Sequence, residues 1–174
     1  MASTLTVDNI VGAATAANVK MPAGAILQTV TTDFTDQTSV TSSGTTYTDV
    51  TNGAITISPK YNNSKILIIP NITFLMQDSA STYIYFGVRC VRDSSTVLGP
   101  TLNTDGNGSY DYGIGFGNSG TRQYDHRVTA HHIDTPATTS ATTYKFQVIN
   151  YAAGRTTTVN HTGSSSILAM EISV

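Results

Sequence analysis

The run Lys65-Ile66-Leu67-Ile68-Ile69-Pro70-Asn71-Ile72-Thr73-Phe74 constrains this chain more than any other stretch. Ile66, Ile68, Ile72 and Phe74 recur at a period of two, and β-branched residues at that spacing predict a strand. Leu67 and Ile69 add apolar groups to the opposite face before it turns polar at Asn71 and Thr73. Pro70 argues against a helix, because it has no N–H for the helical ladder. The same deficit predicts that the strand lies at a sheet edge or is bulged at Pro70. A strand that is apolar on part of both faces needs cover above and below. The rest of the chain supplies more strands.

Ala25 to Thr32 predicts the first of these, with Ile26, Gln28 and Val30 on one side and Leu27 on the other. Asp33 to Ser43 reads as a polar loop. Thr45 to Thr51 and Ala54 to Ser58 predict a hairpin, because Asn52-Gly53 favours the positive φ angles of a type I′ turn. Pro59 to Ser64 reads as a loop. Thr82 to Val91 alternates, with Ile84, Phe86, Val88 and Cys90 facing one way and Tyr83, Tyr85 and Arg89 the other. Asp93 to Gly99 reads as a turn region. Thr101 to Gly120 is rich in Gly and Asn and predicts a long loop running into a strand, with Tyr110, Tyr112, Ile114 and Phe116 at alternate positions.

Gln123 to Ala130 predicts a further strand and His131 to Ser140 a loop. Thr143 to Ala152 sets Tyr144, Phe146 and Val148 against Lys145 and Gln147. Thr156 to Asn160 predicts a short strand. Ser165 to Val174 predicts the last, with Leu168, Met170, Ile172 and Val174 facing in and Glu171 and Ser173 on the polar face. Many short strands between turn signals, with no convincing helix, predict an all-β fold, an antiparallel β-sandwich. Long crossing loops alternate with tight turns, which favours a jelly-roll form.

The 174 residues suffice for one well-buried core. Residues 24–174 form the predicted knob. Met1 to Ala23 differs in character. It has one short apolar alternation, Leu5, Val7, Ile10 and Val11, and then an Ala-rich stretch that cannot bury itself. Residues 1–23 therefore predict an extended arm that docks on something else, bounded by the breaker cluster Met21-Pro22-Ala23-Gly24. A net charge of −2 argues against a nucleic-acid partner. No apolar run is long enough to span a membrane, and no basic region followed by an apolar core marks a secretory signal. Charged residues make up only 11 %. Such an uncharged polar surface suits a protein that works outside a cell or as a subunit of a larger assembly.

Three stretches resemble a known family. Ser3-Thr4-Leu5-Thr6-Val7-Asp8-Asn9-Ile10 resembles the start of small appendage proteins of tailed bacteriophages, especially phages of cyanobacteria and other aquatic bacteria. Met21-Pro22-Ala23-Gly24 leading into Ile26-Leu27-Gln28 resembles their stem-to-head junction. Ser58-Pro59 followed by Asn63-Ser64-Lys65-Ile66-Leu67-Ile68 resembles a recurring stretch of their β-sandwich heads. The resemblance covers the first half of the chain. It implies a virion structural protein, usually a homotrimer, with an N-terminal attachment segment and a C-terminal knob. The chain lacks a long shaft, which makes it a short fibre or a surface decoration.

Several constellations test for chemistry. Asp105, Asn107, Ser109 and Asp111 have the alternate spacing of calcium-loop ligands. However, Tyr110 stands where an EF-hand has Gly, and no Glu follows at the twelfth position. His131 and His132 are adjacent, so on a strand they point to opposite faces and do not share a metal. With His126 and His161 they read as solvated or interface histidines. No Gly-x-Ser-x-Gly elbow is present. Cys90 has no cysteine partner and reads as a small buried hydrophobe. Paired carboxylates for glycan cleavage are scarce and Trp is absent. No catalytic residue, metal or cofactor is assigned. Of four Asn-x-Ser/Thr sequons, the one at Asn71 lies inside the central strand, which argues against a role in glycosylation.

The tyrosines are the most suggestive set: Tyr83, Tyr85, Tyr110, Tyr112 and Tyr124. Exposed Tyr offers a rigid ring with a polar tip, suited to interfaces and sugars. Half of them have an equally good reading as packing residues. The loop residues Asn107, Ser109, Tyr110, Asp111 and Tyr112 are the expected receptor-binding set, facing a host surface polysaccharide. Leu5, Val7, Ile10 and Val11 are the expected arm contacts, to other copies and to other virion proteins. A capsid decoration or cement protein without host binding fits the composition equally well.

Overall fold

The computed structural model describes residues 21–41, 47–78, 84–93, 96–98, 112–116, 122–150 and 156–174. All their regular structure is strand. Residues 1–20 of the expected attachment arm lie outside this set.

The chain's most apolar run forms β4, Lys65–Asp78, and it is central. The N-terminal half of β4 pairs on one side with β12, Ser165–Ile172, and the C-terminal half with β11, Thr156–Val159. On its other side lie β9, His132–Asp134, and β8, Arg122–Thr129. Beyond β12 comes β1, Ile26–Phe34, and beyond β11 comes β2, Thr38–Val40. These seven strands make one sheet. The second sheet orders β3, Thr48–Ile57, then β10, Thr142–Asn150, then β5, Ile84–Arg92. It ends in two strands that both pair with β5: β6, Thr96–Leu98, and β7, Tyr112–Phe116. Every pairing is antiparallel.

The four longest-ranging neighbours in each sheet, β1-β12-β4-β8 and β3-β10-β5-β7, are joined so that most successive strands change sheet. This is the double Greek key of a jelly roll. Between the sheets pack Ile66, Ile68, Ile72, Phe74 and Met76 of β4 and Ile167 and Ala169 of β12. They meet Ile55 and Ile57 of β3, Val88 and Cys90 of β5, and Tyr144, Phe146 and Val148 of β10. The period-of-two readings of β4, β5 and β10 hold at these residues, and Cys90 is a buried thiol outside any disulfide.

Pro70 sits in this central strand, at neither an edge nor a bulge. β8 and β9 keep a single register along β4, from Asp78↔Arg122 to Asn71↔Thr129 and on from Ile68↔His132 to Ile66↔Asp134. The ladder lapses only opposite Pro70. There Ala130 N–H still donates to the Pro70 carbonyl at 3.3 Å, but proline has no N–H to return. One missing donor thus divides what would be one long strand into β8 and β9.

Three other expectations are corrected. Asn52-Gly53 makes no hairpin. It is an interruption inside β3, whose register against β10 shifts between Lys145↔Ala54 and Gln147↔Asp49. Asn52 takes φ 56°, and a Cβ on Gly53 would come within 2.7 Å of Val50 Cβ. In β1, a register shift between Ile26 and Gln28 turns Ile26 outward, away from the side of Gln28 and Val30. In β12 the expected faces are exchanged. Ser165, Ile167, Ala169 and Glu171 are buried, while Leu168, Met170 and Ile172 lie half-buried on the outer face and Val174 is exposed. The predicted loops 33–43 and 131–140 also contain short strands, β2 and β9.

Candidate functional site

Glu171 explains the exchanged faces of β12. Its carboxylate is fully buried yet fully partnered. Oε1 accepts from the backbone N–H of Lys60 (2.7 Å) and Tyr61 (3.2 Å) and from Ser64 Oγ (2.7 Å). Oε2 accepts from Gln28 Nε2 (2.6 Å). A turn of backbone N–H groups is a natural cradle for a carboxylate. The residues from Ser58 to Ser64 are thereby wrapped around one anion, and β12 is committed to turning that residue inward.

A second buried carboxylate joins the sheets. Asp134 of β9 accepts from Arg92 Nη1 of β5 at 2.9 and 2.8 Å and from Tyr144 Oη of β10 at 2.8 Å. Burial, and then the bond to Asp134, push the Tyr144 phenol well above its ordinary range. Asn160, at φ 57°, is the third polar anchor. Its Oδ1 accepts from Ser165 Oγ and Thr73 Oγ1, and its Nδ2 donates to the carbonyls of Phe34 and Asp36. The Asn160 side chain of this sequon is therefore buried with both amide atoms engaged. All three clusters hold the fold and none presents a reactive group to solvent.

On the outer face of the second sheet, Asp49 takes Lys145 Nζ at 2.6 Å and Gln147 Nε2 at 2.5 Å. Gln147 accepts from Arg89 Nε at 2.7 Å, and the Arg89 guanidinium lies 3.7 Å from the centre of the Tyr47 ring. The lysine and glutamine bonds hold the Asp49 carboxyl below its ordinary range.

The open cleft with the most chemistry has a volume of about 320 Å³. It lies between β4, β8 and the turn after β11, and is lined by Thr73, Asp125, His126, Arg127, His161 and Thr162. His126 stacks on Phe74 with ring centroids 6.1 Å apart. Arg127 Nη2 donates to the carbonyl of Ser164 at 3.2 Å, which orients the guanidinium. The cleft offers imidazole, guanidinium, hydroxyl and carboxylate groups, a set suited to hydrogen-bonding a hydroxylated ligand. His126 and His161 are 35 positions apart in the sequence, so only the β4–β8 pairing and the β11–β12 turn bring them together.

His131 and His132 face opposite ways as expected, but only His131 is exposed; His132 is buried, which corrects its reading as a solvated histidine. Desolvation, with the neighbouring His131, lowers the His132 imidazole below its usual value. Among the described residues no three His, Cys, Asp or Glu side chains gather in a way that could hold a metal. Of the expected receptor-binding set, the backbone of Tyr112 opens β7 and pairs with Val88. Asn107, Ser109, Tyr110 and Asp111 lie outside the described residues, as do Leu5, Val7, Ile10 and Val11 and the calcium-like spacing from Asp105. Tyr124 is half-buried opposite Met76.

The fold is thus an antiparallel β-sandwich of jelly-roll form. No protein-family model and no curated protein matches the sequence. Among solved structures, it is similar to the VP2 protein of infectious bursal disease virus. A mutant VP2 in derived T=1 particles matches with a TM-score of 0.36 and 12 % identity over 84 % of this chain and 37 % of that one. The Gx strain of the virus gives a TM-score of 0.31 at 12 % identity, over 84 % and 38 % of the two chains. The T13 viral particle gives 0.32 at 10 % identity, over 84 % and 36 %. The chain spans little more than a third of each of these proteins. A likeness this distant carries no assignment of role.

Proposed function

We propose that this chain is a non-enzymatic structural protein of a virus particle. In this reading it is a short homotrimeric fibre of the kind its opening residues resemble. Residues 1–23 attach it to other virion proteins, and residues 24–174 form a knob that meets a host surface polysaccharide through Asn107, Ser109, Tyr110, Asp111 and Tyr112.

The observation that supports the reading best is the junction at Met21–Gly24. Gly24 N–H donates to the Ser173 carbonyl at 2.9 Å, and Ser173 Oγ donates to the Pro22 carbonyl at 2.5 Å. Gly24 takes φ 86°, a conformation that favours glycine. The breaker cluster is therefore tied to the end of β12, at the boundary this reading draws between arm and knob. A second reading, a decoration or cement protein that binds no host, fits the low charge of the chain equally well.

Antibody labelling of intact particles separates the two. Label at the tail or the vertices supports the fibre, and label over the whole capsid lattice supports the decoration protein. Deleting residues 1–23 should leave a folded knob that no longer joins particles. Replacing Tyr110 and Tyr112 together by Ala should reduce binding to host cells without changing the fold. Equal adsorption by the double variant would remove this site from the fibre reading.

A further inference from the structure

The strand registers gather seven apolar side chains on the outer face of the seven-stranded sheet. Leu67 pairs with Met170 on one side and Ile133 on the other, Ile69 pairs with Leu168, and Ile172 pairs with Ile26. They face away from the core, because their chain neighbours Ile66, Ile68, Ile167 and Ala169 fill it. Ile26 and Ile133 are 58 % and 61 % exposed. Among the described residues, the remaining exposed large hydrophobics are Met21 and Val174, and these line one small cleft at the end of β12. Thr29 and Thr31, paired with Met170 and Leu168, border the block on one side, and the Ser166–Asn71 pair closes its end. An apolar centre inside a polar rim is the anatomy of a subunit contact. A soluble monomer seldom exposes a block of this kind.

We propose that a second copy of this chain packs against this face. Charge supports that occupant. Lys65 stands at one corner, paired with Ile172, and Asp33 stands at the diagonally opposite corner, paired with Ser166. A second copy laid across the face brings lysine toward aspartate and forces no like charges together. Size supports it too. Four strands at ~4.8 Å and eight residues at ~3.3 Å give a flat area on the order of 500 Å². Side-chain relief brings the accessible area toward the roughly 800 Å² per partner of a stable interface. The inference deepens the self-assembly in the proposed function and depends on that reading for the number of copies alone.

The test is the mass of the full-length protein at micromolar concentration, by analytical ultracentrifugation, beside Ile133→Glu and Met170→Glu. The expected result is a multimer for the parent and a single chain for both variants. Thermal melts check that each variant is folded, and Ile133→Glu should melt like the parent because its side chain is already exposed. If Met170→Glu fails to fold, Ile133→Glu decides. A parent of one chain overturns the proposal, and so do folded variants that keep the parent's mass. A three-chain species that persists in both variants removes this face from the contact and leaves the trimeric reading standing. A two-chain species that both variants dissolve supports this face and ends the trimeric reading.

Discussion

Tyr144 Oη of β10 donates to Asp134 Oδ2 of β9 across the space between the two sheets, at 2.8 Å. Arg92 of β5 reaches the same carboxylate, so three strands from both layers share one anion. Tyr144→Phe removes one charge-assisted bond and should cost about 2 kcal/mol. Asp134→Ala leaves the phenol and the guanidinium without their acceptor and should cost about 4 kcal/mol. Urea unfolding of the two variants checks the order. Equal losses would mean that the tyrosine bond carries the whole contribution of the cluster.

Glu171 allows charge to be separated from hydrogen bonding. Glu171→Gln keeps an acceptor oxygen for Lys60, Tyr61 and Ser64, and its amide can meet a reoriented Gln28 side chain. It should lose about 1 kcal/mol, while Glu171→Ala strands the donors and should lose about 3 kcal/mol. Denaturation midpoints measure both. A glutamine variant as damaged as the alanine variant would show that the negative charge itself holds the turn.

His132 sets a pH dependence with a definite sign. Burial holds its folded value below the ordinary 6.5, so well above pH 6.5 the imidazole is neutral in both states and contributes nothing. Below pH 6.5 the unfolded chain takes up a proton that the folded chain refuses, and stability falls as pH falls. The loss levels off below the depressed folded value. His132→Gln should flatten this limb in melts taken between pH 7.5 and pH 5. An unchanged slope would assign the limb to other groups.

Gly53 tests the interruption in β3. Gly53→Ala forces a methyl against Val50 Cβ and Cγ1, each 2.7 Å from the ideal Cβ position. Val50 belongs to the core, so it cannot move aside freely. The expected loss is about 2 kcal/mol. Thermal melts at neutral pH suffice, and a variant within 0.5 kcal/mol of the parent, the ~0.5 kcal/mol range of ordinary surface changes, would show that the strand relaxes there.

The strands that alternate without ambiguity could be read from the chain: Ile66, Ile68, Ile72 and Phe74 face the core, as do Tyr144, Phe146 and Val148. The sandwich follows from such segments. What could not be read depended on partners. Nothing local says that Glu171 will find four donors, three of them in residues 60–64, so its strand looks better with Leu168, Met170 and Ile172 inside. Asn52-Gly53 has the residues of a hairpin turn, but β10 pairs with the residues on both sides of it and holds them in one strand. Pro70 announces a missing bond, and only the register shows which neighbour lost it. The cleft of His126, Arg127 and His161 carries no local signature, because its residues come together through pairings made far along the chain.

The bonds between Pro22, Gly24 and Ser173 also set how the molecule bears load. A pull on the residues before Met21 reaches the sandwich at the start of β1, which lies antiparallel to β12 along the pairs from Ile26↔Ile172 to Phe34↔Ser165. With the body of the sandwich held from its other end, force along β1 slides it past β12 and does not peel it away. The hydrogen bonds between the two strands are then strained together. In that direction the join is a lap joint, strong in shear.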